Sequence, residues 1–496
     1  MSIQGVPFPA KLHKLLLFNS IWTQKEGEEV NKLIYYSSSG FKSDDDTSWE
    51  FNDGDENGLL NCDPKELKDA VNAMGLCEAM INFVKNFGKK EEVYSVHGTK
   101  VRLSLKEVEP NFWLGINLIL PRTPMTGVTS KLETDKDSYY HDADLNDHLV
   151  QLVLTEIYQT FYLFHGCLQT IWDKSEHNLS SLRDVCSRFF HWYLPSLQLS
   201  TVNLGELLNS MQYLSLDEET QNLSQEFVKQ VLDCDKSCKH VLFLFNARMI
   251  HSTLDLSNTR IIYRYLVSTI IPEVASEELS ECVRSRASKK TRFIRKGLKI
   301  YLTGGNDQYI MNVYRSINGT TLVILFESAA SDELDEILFN CDRLMSQRMS
   351  EMATKFSELY VQELSLDTTL PPNPTRHELV QGELFRYALC DAGESSFKTN
   401  VGFNGILDQR KQSDYELAKP IVDLESDLRT HLISPDPDSQ IEIVAKTTNE
   451  SWLVVNKEGP KTIFSSLNHK NDNLVDAADA VSHHVSRRFK NLLPKT

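Results

Sequence analysis

Apolar positions along the chain fall into short runs and longer amphipathic stretches, and their order repeats. Residues 15–18 (LLLF) and 33–36 (LIYY) are strand-sized apolar runs around a polar turn at Gly27, which predicts a hairpin. Asp63-Pro64-Lys65-Glu66 then carries the signals of a helix start: an N-capping Asp, Pro at the first helical position and an acidic first turn. Leu67, Val71, Met74, Cys77, Ile81 and Val84 follow at three- or four-residue spacing, one face of an amphipathic helix. Three strands come next: 93–96, the alternating Val101, Leu103 and Leu105, and the nearly continuous 112–120, which suits a strand covered on both faces. Leu149, Val153, Ile157, Phe161 and Phe164 mark a closing helix. The order is ββαβββα.

The same order returns twice. Residues 241–245 and 249–252 predict a hairpin, 260–270 a helix, and Leu298, Ile300, Leu302 with 309–314 and 320–326 a three-strand meander. A long helix from Ser331 carries Leu334, Ile337, Cys341, Leu344, Met349, Met352, Phe356 and Leu359 on one side, which is read as core. Pro371-Pro372-Asn373-Pro374 reads as a linker. The third copy runs through 384–390, 399–403, a helix within 408–430, strands at 441–445, 452–455 and 463–467, and a helix at 474–489. The fold class is α/β: three tandem units, each an antiparallel five-stranded sheet flanked by helices. The expected boundaries are 8–200, a helical connector at 201–239, 240–366, a linker at 367–383, and 384–496. Residues 41–62 and 123–144 interrupt the pattern as insertions or mobile loops. A basic loop is expected at 284–296.

Composition narrows the function. The net charge of −17 over 496 residues argues against a general nucleic-acid binder, because a polyanion would be repelled over most of the surface. Nine cysteines without a CxxC pair point to a reducing compartment. Neither a secretory leader nor an apolar run long enough to span a bilayer is visible, so a cytosolic protein with peripheral membrane contact is expected. Phosphate-binding loops, nucleophile elbows, HExxH helices and kinase signatures are absent from the sequence. Cys234, Cys238 and His240 lack a fourth ligand at zinc spacing. No catalytic residue, metal or cofactor is expected.

Particular words then carry a resemblance. Lys25-Glu-Gly-Glu-Glu-Val-Asn-Lys-Leu-Ile-Tyr-Tyr36, Met74-Gly-Leu-Cys-Glu-Ala-Met-Ile81 and Pro110-Asn-Phe-Trp113 in the first unit resemble segments of the calcium–caffeine–zinc sensitivity protein family. Phe243-Leu-Phe-Asn246, Arg260-Ile-Ile-Tyr-Arg-Tyr-Leu266 and Leu467-Asn-His-Lys-Asn-Asp-Asn-Leu474 extend it into the second and third. The resemblance implies three tandem longin-type domains and a heterodimer with the monensin sensitivity protein. It also implies guanine nucleotide exchange on a late-endosomal or vacuolar Rab GTPase, with a third regulatory subunit as a further partner. Such a chain is cytoplasmic and recruited to late-endosomal, lysosomal or vacuolar membranes. Exchange needs no covalent chemistry. The alternatives are an exchange-factor subunit of the Hermansky–Pudlak type, serving lysosome-related organelles, and a non-catalytic longin adaptor; an Inturned-type effector should bring a PDZ-like segment, for which the chain has no room.

The candidate contact residues for the GTPase or partner are Gly75, Leu76 and Glu78 on the first helix, Asn111, Phe112 and Trp113 at a strand entry, and Glu28, Asn31 and Lys32 beside the hairpin. Gly75 costs a helix about 1 kcal/mol relative to Ala. Close approach of another backbone, or packing on the unit's own sheet, would each account for it. Glu78 is expected to face outward, and Trp113 is read as core rather than platform. For anionic membranes the candidates are Arg284, Arg286, Lys289, Lys290, Arg292, Arg295 and Lys296; a solvated loop balanced by Glu273, Glu277, Glu278 and Glu281 explains them equally well.

Overall fold

The structure, a computed structural model, describes residues 10–23, 25, 27–38, 64–87, 93–124, 138–142, 145–197, 210–272, 292–305, 307–316, 318–328, 334–368, 386–399, 420–421, 424, 440–446, 452–467, 474–475, 479 and 481. Met1–Leu204 falls in one compact unit, and Gly205–Gly402 with Glu416–Thr496 in another.

In the first unit β1 (Lys11–Asn19), a 3-10 turn (Glu29–Lys32) and β2 (Leu33–Ser38) form the predicted hairpin. Helix α1 (Pro64–Phe87) follows, then β3 (Val93–His97), β4 (Val101–Glu109) and β5 (Phe112–Ile119). The sheet order is β2-β1-β5-β4-β3, antiparallel throughout. Side-chain alternation divides its faces. Leu16, Phe18, Leu33, Tyr36, Leu105 and Trp113 pack against Ala70, Met74, Cys77 and Ile81 of α1. Gly115 lies between Leu16 and Leu105 in register, and a Cβ there would meet their Cδ2 atoms at 2.8 and 2.7 Å.

The opposite face is covered by α2 (Asp147–His165) and α4 (Leu179–Tyr193), with α3 (Leu168–Lys174) between them. Lys106 of β4 reaches Thr155 of α2 at 2.6 Å, and Tyr35 of β2 stacks on Phe190 of α4 at 4.5 Å. Asn146 and Asn178 cap α2 and α4 through their side chains. Glu109 accepts bonds from the backbone N–H groups of Leu168 and Gln169, occupying the start of α3. The 123–144 stretch is in part regular: β6 (Arg122–Pro124) and β7 (Ser138–Tyr140) form a short antiparallel ribbon. The 41–62 stretch lies outside the described residues.

The second unit holds two sheets. β8 (Met211–Gln212) and α5 (Glu218–Asp233) precede β9 (Cys238–Phe245), β10 (Arg248–Ser252) and α6 (Leu256–Tyr265), which continues as a π turn over Leu266–Ile270. β11 (Arg292–Tyr301), β12 (Gln308–Arg315), β13 (Thr320–Glu327) and α7 (Leu334–Thr368) complete the set. Its order, β10-β9-β13-β12-β11, is that of the first sheet. β14 (Arg386–Asp391), β15 (Ser396–Thr399), β16 (Gln440–Lys446), β17 (Trp452–Glu458) and β18 (Lys461–Leu467) repeat it again, with β8 added outside β15.

Several expectations change here. The segment 201–239 is more than a connector, because Phe227, Val228 and Val231 of α5 enter one core with Phe243, Phe245, Met349, Met352 and Phe356. Residues 211–214 are bonded on both sides: Met211 and Gln212 run parallel to β15, while Tyr213 bridges Met249 of β10. Glu363 of α7, 5% exposed, lies 3.1 Å from both Arg248 of β10 and Lys398 of β15. The second strand of the third hairpin is described over Ser396–Thr399, beginning three residues before the expected 399–403, of which 400–403 lie outside the described residues. The Asp391 carboxylate accepts from the backbone N–H groups of Gly393 and Glu394, so the chain turns earlier than its apolar run suggests. The basic stretch is not a loop throughout. Arg292, Arg295 and Lys296 belong to β11, where Arg292 and Arg295 pair with Arg315 and Val313 of β12. Arg284, Arg286, Lys289 and Lys290 lie outside the described residues.

Candidate docking surface

Helix α1 is fastened to its sheet at three places. Near its start, the Asp69 carboxylate accepts from the Lys14 ammonium at 2.6 Å and from the Tyr36 hydroxyl. The Lys14 bond, then the Tyr36 bond, hold the Asp69 carboxyl below its usual range. At mid-helix Glu78 accepts from Lys32 of the 3-10 turn at 2.8 Å, with side chains only 21% and 13% exposed. Near its end, the Lys85 ammonium lies 5.6 Å from the centre of the Trp113 ring. Burial, with a smaller contribution from Glu78, pushes the Cys77 thiol up to about 12, so it stays a neutral core group.

The outward side of the same helix is mixed, with exposed apolar side chains among polar Asn72 and Asn82. Asn72, Leu76, Ala79 and Phe83 recur at helical spacing opposite the core stripe, with Leu76 57% and Phe83 63% exposed. Ala73, Met80 and Val84 continue this surface down one flank toward the sheet. Leu76 and Phe83, two turns apart on a helix held rigidly beneath, are the two large apolar side chains of this face that a protein partner would cover.

Two of the nine sequence candidates, Gly75 and Leu76, lie on this exposed side. A Cβ at Gly75 would meet nothing within 4 Å, so among the described residues neither its own sheet nor another backbone accounts for the glycine. Glu78 does not simply face outward; its ion pair with Lys32 joins α1 to the 3-10 turn. That turn is held from the other side by Arg183 of α4, which donates to the Val30 and Leu33 carbonyls at 2.7 and 2.8 Å. Glu28 and Asn31 lie on this clamped turn, where Glu28 pairs with Lys25 and Asn31 is exposed.

Phe112 and Trp113 are 0% and 1% exposed and belong to the core, which corrects their place among the contact candidates. Asn111 has φ 69° in the β4–β5 turn, its N–H donating to Glu107 and its carbonyl accepting from Ser20. It shapes a turn. Phe83 and Arg183 were missed. Phe83 had a signal, an aromatic residue seven positions after Leu76 and off the core stripe. Arg183 had none, since its acceptors lie 150 residues away.

Comparisons with known proteins identify the first domain and relatives of the whole chain. Residues 12–166 match the family model described as the first longin domain of INTU, CCZ1 and HPS4, a span that contains the first sheet, α1 and α2. The chain is 23% identical to the vacuolar fusion protein CCZ1 homolog of Nematostella vectensis, covering 97% of each chain. It is 23% identical to that of Xenopus tropicalis over 99% of this chain and 98% of the relative. The Dictyostelium discoideum homolog is 20% identical over 97% of each. This α/β chain of antiparallel sheets thus contains a longin domain of the INTU, CCZ1 and HPS4 type and is similar along nearly its whole length to proteins named vacuolar fusion protein CCZ1 homolog.

Proposed function

We propose that this chain is one subunit of a heterodimeric guanine nucleotide exchange factor for a late-endosomal or vacuolar Rab GTPase, built from three tandem longin domains. The observation that carries the reading is the exposed Leu76–Phe83 stripe on the first longin domain of a chain similar end to end to vacuolar fusion proteins. The resemblance to the calcium–caffeine–zinc sensitivity family supplies the partner, the monensin sensitivity protein, and the endosomal or vacuolar membrane as the place of work. A third regulatory subunit completes the assembly.

Exchange requires only differential binding. A surface that prefers the nucleotide-free GTPase lowers nucleotide affinity by the same factor, and each tenfold takes about 1.4 kcal/mol. Leu76 and Phe83, covered on docking, each contribute on the order of 1 kcal/mol of apolar burial. No acid, base or nucleophile takes part. Among the described residues no helix is long and apolar enough to cross a membrane. Basic side chains between Arg284 and Lys296 then provide the peripheral attraction to anionic lipid.

The test is nucleotide release from a Rab loaded with fluorescent GDP, using the purified heterodimer. Wild type accelerates release, and the double variant L76D/F83D loses at least about tenfold of that rate with unchanged thermal melting. Wild-type exchange by the variant would remove the stripe from the site. A heterodimer that binds the Rab without accelerating release would make the chain an adaptor.

A further inference from the structure

We propose that His97, Arg102, Asp142 and Asp147 form a proton-operated latch, closed when the imidazole is charged, that fastens the β6–β7 ribbon and the start of α2 to the β3–β4 hairpin. His97 ends β3 and lies opposite Arg102 in register. The Arg102 side chain is 1% exposed. It donates to the Asp142 carboxylate at 2.5 Å, the Asp142 carbonyl at 3.0 Å, the Asp147 carboxylate at 2.8 Å and the Leu145 carbonyl. His97 faces the same two carboxylates from outside, Nδ1 lying 3.0 Å from Asp142 and Nε2 3.0 Å from Asp147.

The geometry selects a protonation state. A carboxylate only accepts, and a neutral imidazole has one N–H, so both short contacts are hydrogen bonds only in the imidazolium form. The charges agree. Arg102 from β4, Asp142 from the segment before α2 and Asp147 from the first turn of α2 sum to −1, which the His97 proton cancels. Partial burial opposes the charge on His97, but the bonds to Asp142 and Asp147 outweigh it and raise the imidazole above its ordinary 6.5. Burial likewise pushes Asp142 up, and the bonds from Arg102 and His97 outweigh it, holding its carboxyl low.

The sign follows. His97 is raised on folding, so its contribution is fully present below the unfolded value and is lost as pH rises through the folded one. Loss of the proton breaks one of the two imidazole bridges and leaves the cluster with a net negative charge. Arg102 still holds both carboxylates, so the hairpin and α2 stay folded while residues 138–142 loosen. The latch sits at the Val101–Ile119 end of the sheet, away from the Asn111 turn and the 3-10 turn. Its operation is therefore separate from the docking stripe.

The test combines NMR titration of His97 in the full chain with amide exchange over residues 138–150, corrected for intrinsic rates. Wild type should show an imidazolium titrating above 6.5, and protection that falls with pH by up to about tenfold per unit, the limit for one linked proton. H97Q should show weak, pH-independent protection. D147N, in which Asn146 still caps α2, should move the His97 titration down. An imidazole titrating at or below 6.5, or protection in H97Q equal to that of acidic wild type, overturns the latch.

Discussion

The helix between the hairpin and the meander occurs in both the first and second sheets, and the two copies treat solvent oppositely. In α1 the buried positions are spaced by three and four, leaving Leu76 and Phe83 outside. In α6 every residue from Ile261 to Tyr265 is buried, and so is Leu266 of the π turn, enough to cover all sides of a helix. The second copy finds its partners within its own unit: the Tyr263 hydroxyl donates to the Ala247 carbonyl and accepts from the Gln212 N–H. Neighbouring strands differ in the same sense. β10 is bridged by Tyr213, whereas β2 ends its sheet among the described residues. One topology therefore serves as a closed scaffold in one place and offers a surface in the other.

The largest expected effect comes from forcing charge into the closed copy. Ile262→Asp buries an unpaired carboxylate and should cost about 4 kcal/mol or more, abolishing the cooperative melt of the second unit. Leu76→Asp at the exposed stripe should stay within about 0.5 kcal/mol of wild type. Equal destabilisation by the two would erase the contrast. Next, Glu363→Ala leaves Arg248 and Lys398 without their shared carboxylate and should cost roughly 3 kcal/mol in urea unfolding.

Glu78→Lys sets two ammonium groups against each other in a half-buried place and should cost about 2 kcal/mol. Adding Lys32→Glu should recover most of that loss. A harmless single variant would mean that the Lys32 pair holds nothing. The smallest effect is at Gly75: Gly75→Ala has open space for its methyl and should raise stability by about 0.5–1 kcal/mol. If a partner approaches the glycine closely, exchange by the heterodimer falls even as the melt rises; unchanged exchange removes Gly75 from the contact.

Periodicity made the order of elements legible because burial of one helix face or one strand face imprints on neighbouring residues. Leu67 through Val84 marked the inner side of α1, and the Met349, Met352 and Phe356 stripe marked the core side of α7. What stayed hidden depends on contacts distant in sequence. Nothing local in Arg183 shows that it clamps Val30 and Leu33, or in Glu78 that Lys32 waits across the fold. β8 is two residues long and carries no period. The Asp391 turn was readable in Asp-Ala-Gly-Glu-Ser but was outweighed by the apolar run after it. Of the candidate site, Leu76 was visible as an apolar residue off the core stripe, and the reading of Trp113 as core rather than platform agrees with its burial.

The placement of Met211 and Gln212 also bears on how the protein is born. Their strand partner, beginning at Ser396, leaves the ribosome roughly 180 residues later, some 10–40 s at about 5–20 residues per second. Tyr213 can settle beside Met249 early, which leaves the far edge of this strand waiting with unpaired amides and carbonyls on a growing polypeptide. Such an edge is a template for wrong pairing. Chaperone demand during synthesis should therefore peak between completion of α7 and emergence of β15, and a ribosome stalled in that interval should carry the most aggregation-prone nascent chain.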